Sequence, residues 1–275
     1  MACFRLEFES TLDILYEGDG NKIAREFYIP VLKRSFSYHR VSGYFNVDSL
    51  VVVAAGLAGL INNGGKMKLI LGAHDLGKDL SEAYILSRER AEEILNEIGG
   101  RISSGLERIE DLFSRRRIEA LAWMLANGTL EVKVAIPKKT YLGLGNGIFH
   151  EKVLIFGDSD DCSIAATGSA NETLAAYSEN GENLTINMSW RDGHLEYIER
   201  YRGKFESLWT NSHSDYFVLS LPQAVETKLK ERFYPVSLPT SSIFSNPSVI
   251  LSWSEEGSRT TVPASSVILT AESGG

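Results

Sequence analysis

Two short apolar runs, residues 149–156 and 162–167, flank the cluster Gly157-Asp158-Ser159-Asp160-Asp161, and they constrain the fold more than any other stretch. The first run alternates, with Phe149, Val153 and Ile155 set against Lys152, Leu154 and Phe156. A period of two marks a β-strand, and a glycine-aspartate cluster is turn chemistry, so the runs predict a hairpin. In a hairpin the start of the first strand lies beside the end of the second. His150 and Lys152 stand two apart and leave one face of the first strand. Gly168-Ser169-Ala170-Asn171 follows the second strand and returns beside them.

These side chains make a chemical set. An imidazole can attack phosphorus or pass a proton near neutral pH, and Lys152, Ser169 and Asn171 can hold non-bridging phosphoryl oxygens as charge builds. No cofactor or metal is called for, because cationic side chains supply the charge that Mg²⁺ supplies elsewhere. Cys3 and Cys162 make neither a metal-ligand spacing nor a disulfide framework.

His150, Lys152, Gly168, Ser169 and Asn171 resemble the signature of the phospholipase D superfamily, which is His-x-Lys, a following Asp, then Gly-Ser-x-Asn. Asn180-Gly181-Glu182 is similar to that family's Asn-x-Glu, whose glutamate orients a catalytic histidine, and the resemblance implies this role for Glu182. One element departs. The family's Asp falls five residues after the Lys, where this chain has Gly157; Asp158 comes one residue later, and the role is not carried over to it. The signature covers residues 149–182, and a weaker likeness runs over residues 12–209. It implies an α/β fold with a mixed, largely parallel sheet flanked by helices, and a metal-independent phosphodiesterase working through a phosphohistidine.

Such chemistry needs one histidine to attack and another to protonate the leaving oxygen. In the superfamily two copies of the motif meet across a twofold axis. One copy here therefore implies a homodimer through the active-site face, with the two His150 side chains opposed. Residues 27–32, 38–45 and 62–66 also look like the nuclease-type domain found beside or fused to bacterial SNF2-like helicases in restriction and phage-defence systems. That likeness implies nucleic acid as substrate, DNA favoured, and a helicase partner.

The rest of the chain supplies a frame. A helix is predicted over residues 21–34, a strand over 38–45, a helix over 48–61 capped by Asp48 and stopped by Asn62-Asn63-Gly64-Gly65, and a strand over 66–71. Strand, helix, strand with short links is a parallel crossover. Residues 80–98 and 102–125 read as a helical insertion, at about 78–126, divided by Gly99-Gly100. Strands are predicted over 130–136 and 184–189, and helices over 193–209 and 224–233. Residues 1–234 form the main domain; the Ser/Thr/Pro-rich tail from 235 to 275 is a linker or a small β appendage.

The net charge of −8 opposes a nucleic-acid substrate, since phosphate neutralisation supplies most of that affinity. Local patches could offset it: Lys133, Lys138, Lys139 and Lys152; Arg115-Arg116-Arg117; and Lys33-Arg34 with Arg40. No apolar run approaches the roughly 20 residues that cross a bilayer, and the first residues resemble no signal peptide, so a cytoplasmic protein without membrane contact is expected. His39 reads as a packing or surface residue rather than a site residue, His194 and His213 as helix-end residues, and His74 lacks companions for a metal set. Gly143, Gly145 and Gly147 precede a strand, which disfavours a nucleotide loop. A non-catalytic nucleic-acid-binding or assembly module, a phospholipase and a phosphatidyl transferase are the alternatives. A phospholipase would need an apolar membrane-facing loop, which the Gly-rich residues 141–147 do not obviously supply.

Overall fold

The computed structural model describes residues 3–73, 78–171, 173, 175–176, 180–226, 249–253 and 259–263. Helix α1 (Phe4–Phe8) precedes the edge strand β1 (Leu15–Asp19). A rod follows in three pieces: α2 (Gly20–Ile23), a π-helical turn (Ala24–Tyr28) and α3 (Ile29–Arg34). Then β2 (Ser37–Ser42), α4 (Val47–Val52), α5 (Ala54–Asn62) and β3 (Lys66–Gly72) build the crossover, with β2 and β3 parallel.

Two local signals there resolve differently. Asn46, not Asp48, caps α4: its Oδ1 accepts the Asp48 N–H at 2.6 Å, while the Asp48 carboxylate lies 2.9 Å from Arg117. The glycine stop of α5 holds. Gly64 has φ +70°, the Gly64 N–H donates to Ile61 O at 2.9 Å and the Gly65 N–H to Leu60 O at 2.8 Å, a Schellman closure.

Four helices occupy the stretch before β4 (Leu130–Pro137): α6 (Lys78–Glu89), α7 (Ala91–Ser103), α8 (Ile109–Arg115) and α9 (Arg117–Ala126). Gly99-Gly100 does not divide them, because α7 runs through the pair. Each helical glycine costs about 1 kcal/mol relative to alanine, and buried Ile94 and Ile98 anchor the helix regardless.

After the single turn α10 (Lys138–Tyr141) come β5 (Lys152–Gly157), β6 (Ser163–Gly168), β7 (Gly181–Met188), α11 (His194–Trp209), β8 (Tyr216–Ser220) and α12 (Leu221–Glu226). The helix expected over 224–233 thus begins earlier, and residues 227–233 lie outside the described residues. In the tail, β9 (Val249–Trp253) and β10 (Arg259–Pro263) pair antiparallel.

Among the described residues, eight strands form one sheet in the order β1-β7-β6-β5-β2-β3-β4-β8. The mixed α/β architecture is as expected, but only β2-β3 and β3-β4 are parallel; the other five neighbouring pairs are antiparallel. The cause is local. The hairpin β5-β6 continues into β7 as a meander, and β1 and β8 close the two edges antiparallel, two strands that sequence periodicity did not reveal.

Both faces of the sheet are buried. Leu154 and Phe156 of β5 join the larger core with Tyr38, Leu69 and Val134, under α3, α5, α8 and α9. Val153 and Ile155 join a smaller core with Phe149, Ile198, Phe205 and Leu208, under α11. Each such side chain contributes about 1.5–3 kcal/mol by leaving water. The aromatic pattern around residues 27–38 is packing: Tyr38 stacks on Phe156 at 4.7 Å and meets the Tyr28 hydroxyl at 2.5 Å. Among the described residues no helix is long and apolar enough to cross a membrane.

Candidate active site

Strand direction places the site. Because β5 runs antiparallel to β2 and to β6, and β6 antiparallel to β7, the end of β2, the start of β5, the end of β6 and the start of β7 share one edge of the sheet. This is also the carboxyl end of the parallel strands, where open α/β sheets bind ligands. Ser42 pairs with Lys152, and Gly168 pairs with Leu184, two residues beyond Glu182.

His150 lies just before β5, not within it. Its neighbours hold it. Glu151 points to the other side, accepting from the Tyr216 hydroxyl at 3.2 Å and lying 2.5 Å from Lys204 Nζ. Burial, with Glu151 close by, pushes the Tyr216 phenol up to about 12. Phe149 is fully buried and meets the Tyr216 ring edge-on at 5.0 Å. Gly43 passes directly against the histidine: a Cβ there would stand 3.0 Å from His150 Cα and 3.1 Å from Cδ2. The Tyr44 ring meets the imidazole edge-on at 5.5 Å. The imidazole itself is exposed.

Lys152 Nζ lies 3.1 Å from both ring nitrogens of His150 and donates to His150 O at 3.2 Å. An ammonium so close disfavours a second positive charge. Partial burial, then Lys152, hold the His150 pKa below the usual histidine value. Burial and the nearby Arg40 lower that of Lys152, and Glu182 opposes the shift.

Across the hairpin, the Ser169 hydroxyl donates to Glu182 Oε2 and accepts the Asn183 N–H at 3.0 Å. Asn180 Nδ2 donates to Glu182 Oε1 at 3.2 Å. Glu182 is 8 % exposed, so its carboxylate needs these partners. Among the described residues its hydrogen bonds go to Ser169 and Asn180, not to the imidazole. Asn171 Oδ1 accepts the Tyr44 N–H at 3.3 Å, which ties the end of β2 to the turn after β6. Gly168 is required sterically, since a Cβ would sit 1.9 Å from Asn183 O on the neighbouring strand.

Sequence reasoning missed Arg40 as part of this region. It is fully buried rather than a surface patch, and its Nη2 donates to Ala170 O at 2.7 Å, inside the Gly168-Ser169-Ala170-Asn171 turn. Its place in an alternating strand beside Tyr38 and Ser42 was the available signal. Other expected patches are also committed. Lys133 donates to Trp209 O at 2.6 Å, Lys138 to His213 O at 3.0 Å, and Arg34 lies 2.8 Å from Glu7. Arg116 pairs with Glu97 and Glu119, and Arg117 with Asp48.

Asp158 sits at the far end of the hairpin and organises its turn, accepting from Phe4 N at 2.7 Å, Asp160 N at 2.8 Å and Cys162 N at 2.9 Å. His39 stacks on Phe205 at 4.6 Å; burial, then Lys68 and Arg202, lower its pKa to about 4. His194 and His213 accept backbone N–H bonds at the two ends of α11. His74 lies outside the described residues. The loop leading to His150 differs from its expected polar character: Leu142 is 58 % and Leu144 73 % exposed.

A family model described as "Cardiolipin synthase, PLD-like domain" matches residues 29–209. A search of curated proteins finds no match. Among solved structures, NucT from Helicobacter pylori is similar at 16 % identity and a TM-score of 0.42, over 74 % of this chain and 96 % of that one. The phospholipase D family member Nuc from Salmonella typhimurium is similar at 17 % identity and a TM-score of 0.39, over 74 % and 97 %. The phosphatidylserine synthase of Haemophilus influenzae Rd KW20 is similar at 16 % identity and a TM-score of 0.41, over 79 % and 44 %.

Proposed function

This chain belongs to the phospholipase D-like family, and from that premise we propose that it is a metal-independent phosphodiesterase, a nuclease acting on DNA through a dimeric site. The observation that carries the reading is the convergence of His150, Lys152, Ser169, Asn171 and Glu182 on one edge of four adjacent strands. In the proposed reaction, neutral His150 of one protomer attacks phosphorus, and His150 of the other protonates the leaving oxygen. The second histidine then takes a proton from water, whose oxygen bonds to phosphorus as the P–N bond breaks, so that the product leaves and the first imidazole is free again. Partial burial and then Lys152 favour the neutral imidazole that attacks, and Lys152 with the Asn171 amide holds the phosphoryl oxygens, Ser169 joining them by turning its one O–H away from Glu182. Glu182 fixes the Ser169 hydroxyl and balances the charge of Lys152.

Two features support a polymeric substrate and a dimer. His150 and Ser169 are both exposed, which admits a long strand without a deep cleft. An exposed single imidazole also leaves the acid role to a second copy. The ion-paired arginines and the net charge of −8 imply weak intrinsic DNA affinity that salt weakens further; a helicase partner in a restriction or phage-defence system would supply the grip.

The test is cleavage of plasmid and single-stranded oligonucleotides in EDTA by wild type and His150→Ala, with sedimentation of the same samples. Cleavage by a wild-type dimer, abolished in the variant, is expected. Loss of wild-type activity in chelator, or full activity of a monomer, overturns the scheme. A second reading, a phosphatidyl substrate, is favoured by exposed Leu142 and Leu144 beside the site; turnover of phospholipid vesicles with no cleavage of nucleic acid would select it.

A further inference from the structure

The two cysteines, 159 residues apart in sequence, meet in the fold. Cys3 Sγ lies 3.4 Å from Cys162 Sγ, and both side chains are half-buried. The contact sits at the turn of the β5-β6 hairpin, the opposite end from His150. One carboxylate clamps the backbone on both sides of it. Asp158 Oδ2 accepts the N–H of Phe4, next to Cys3, at 2.7 Å, and Oδ1 accepts the N–H of Cys162 itself at 2.9 Å. Buried Phe4 and Phe8, with rings 5.7 Å apart, seat α1 in the core beside it.

We propose that Cys3 and Cys162 are a modification site: a thiol pair that closes to a disulfide, fastening α1 to the hairpin, on exposure to a peroxide or a small-molecule disulfide. A disulfide needs an S–S distance of about 2.05 Å, so the sulfurs must approach by about 1.4 Å from their 3.4 Å contact, while Asp158 holds the backbone beside both. With peroxide, one thiolate attacks oxygen and becomes a sulfenic acid, and the O–O bond breaks to release water. The second thiol attacks that sulfur and expels a second water. Two thiols lose two protons and two electrons, and one peroxide becomes two waters. With a small disulfide, two exchange steps form the same bond and release two small thiols.

The same three residues could suggest a cation site, since the donor atoms of Cys3, Asp158 and Cys162 lie within 4.8 Å of one another. The carboxylate argues for the covalent bond instead. It already accepts three backbone N–H bonds, and the set is one protein ligand short of a closed zinc site. Burial, the contact with Cys3 and the Asp158 charge push the Cys162 thiol up to about 11, so closure quickens as pH rises above neutral.

The bond constrains the unfolded chain over a long loop and ties down α1, which leads into β1, the partner of β7. The test treats the full chain with hydrogen peroxide or oxidised glutathione, then maps peptides by non-reducing mass spectrometry and measures Tm. An intramolecular crosslink of residues 3 and 162 is expected, with a Tm several degrees above the dithiothreitol-treated protein. In Cys162→Ser both the crosslink and the oxidant-dependent rise should vanish, while the reduced variant stays folded. Two thiols that remain titratable after oxidant, a sulfinic acid without crosslink, or stoichiometric Zn²⁺ binding that protects both thiols would each overturn the proposal.

Discussion

Gly168→Ala tests how the sheet builds the site. An added Cβ would stand 1.9 Å from Asn183 O and 2.8 Å from Asn183 C, and these atoms are backbone, so no side-chain rotation relieves the clash. Reaching even about 3.0 Å requires β6 and β7 to part by about 1.1 Å, and overpacking of this kind costs about 1–3 kcal/mol. For a chain of this size that lowers Tm by about 2–12 °C. The separation falls where the Ser169 N–H donates to Asn183 O at 3.1 Å and the Asn183 N–H to Ser169 Oγ at 3.0 Å. Ser169 therefore moves relative to Glu182 and His150, and a displacement of about 1 Å in reacting groups costs about 100-fold in rate. The assay is thermal unfolding plus hydrolysis of an activated phosphodiester by folded protein well below Tm. Gly203→Ala is the control: it is an exposed residue of α11 with nothing within 4 Å of an added Cβ, and it should stabilise by about 0.5–1 kcal/mol. A Gly168→Ala protein with wild-type Tm and rate would refute the steric argument.

Three further outcomes follow from the same geometry. His39 has a pKa near 4 in the fold against about 6.5 unfolded, so the unfolded chain binds the extra proton first as pH falls. Its stabilisation is complete above pH 6.5 and is lost as pH drops towards 4, by up to about 3 kcal/mol; denaturant unfolding of His39→Leu should show a flatter profile over that window, and an unchanged profile would contradict it. In Lys152→Met, removal of the ammonium should raise the His150 midpoint in an NMR titration towards the ordinary histidine value, since Lys152 is one of the two causes of its depression; identical midpoints would exclude that coupling. Arg40→Met leaves the Ala170 carbonyl without its 2.7 Å donor, which should cost about 1–3 kcal/mol and lower kcat more than it raises KM, measured beside unchanged far-ultraviolet circular dichroism.

The hairpin was legible because its apolar runs and turn residues are local signals, and the candidate site residues lie at its open end or one strand further on. What escaped is non-local. β1 and β8 are short edge strands whose pairing depends on partners distant in sequence. Arg40 looks like a surface charge until the turn after β6 covers it. Cys3 and Cys162 share no motif, since only the docking of α1 brings them together. Asn46 outcompetes Asp48 as cap because Arg117, far along the chain, draws Asp48 away. Gly99-Gly100 misleads for the opposite reason: buried isoleucines outweigh a local penalty.

The proposed mechanism requires a covalent phosphohistidine on His150. The direct measurement is an alkaline quench of turnover in EDTA followed by peptide mass spectrometry, with His150→Asn alongside. Substrate phosphoryl mass is expected on the peptide containing His150 and none in the variant. Turnover that continues in the variant, or an adduct on any other residue, would contradict it.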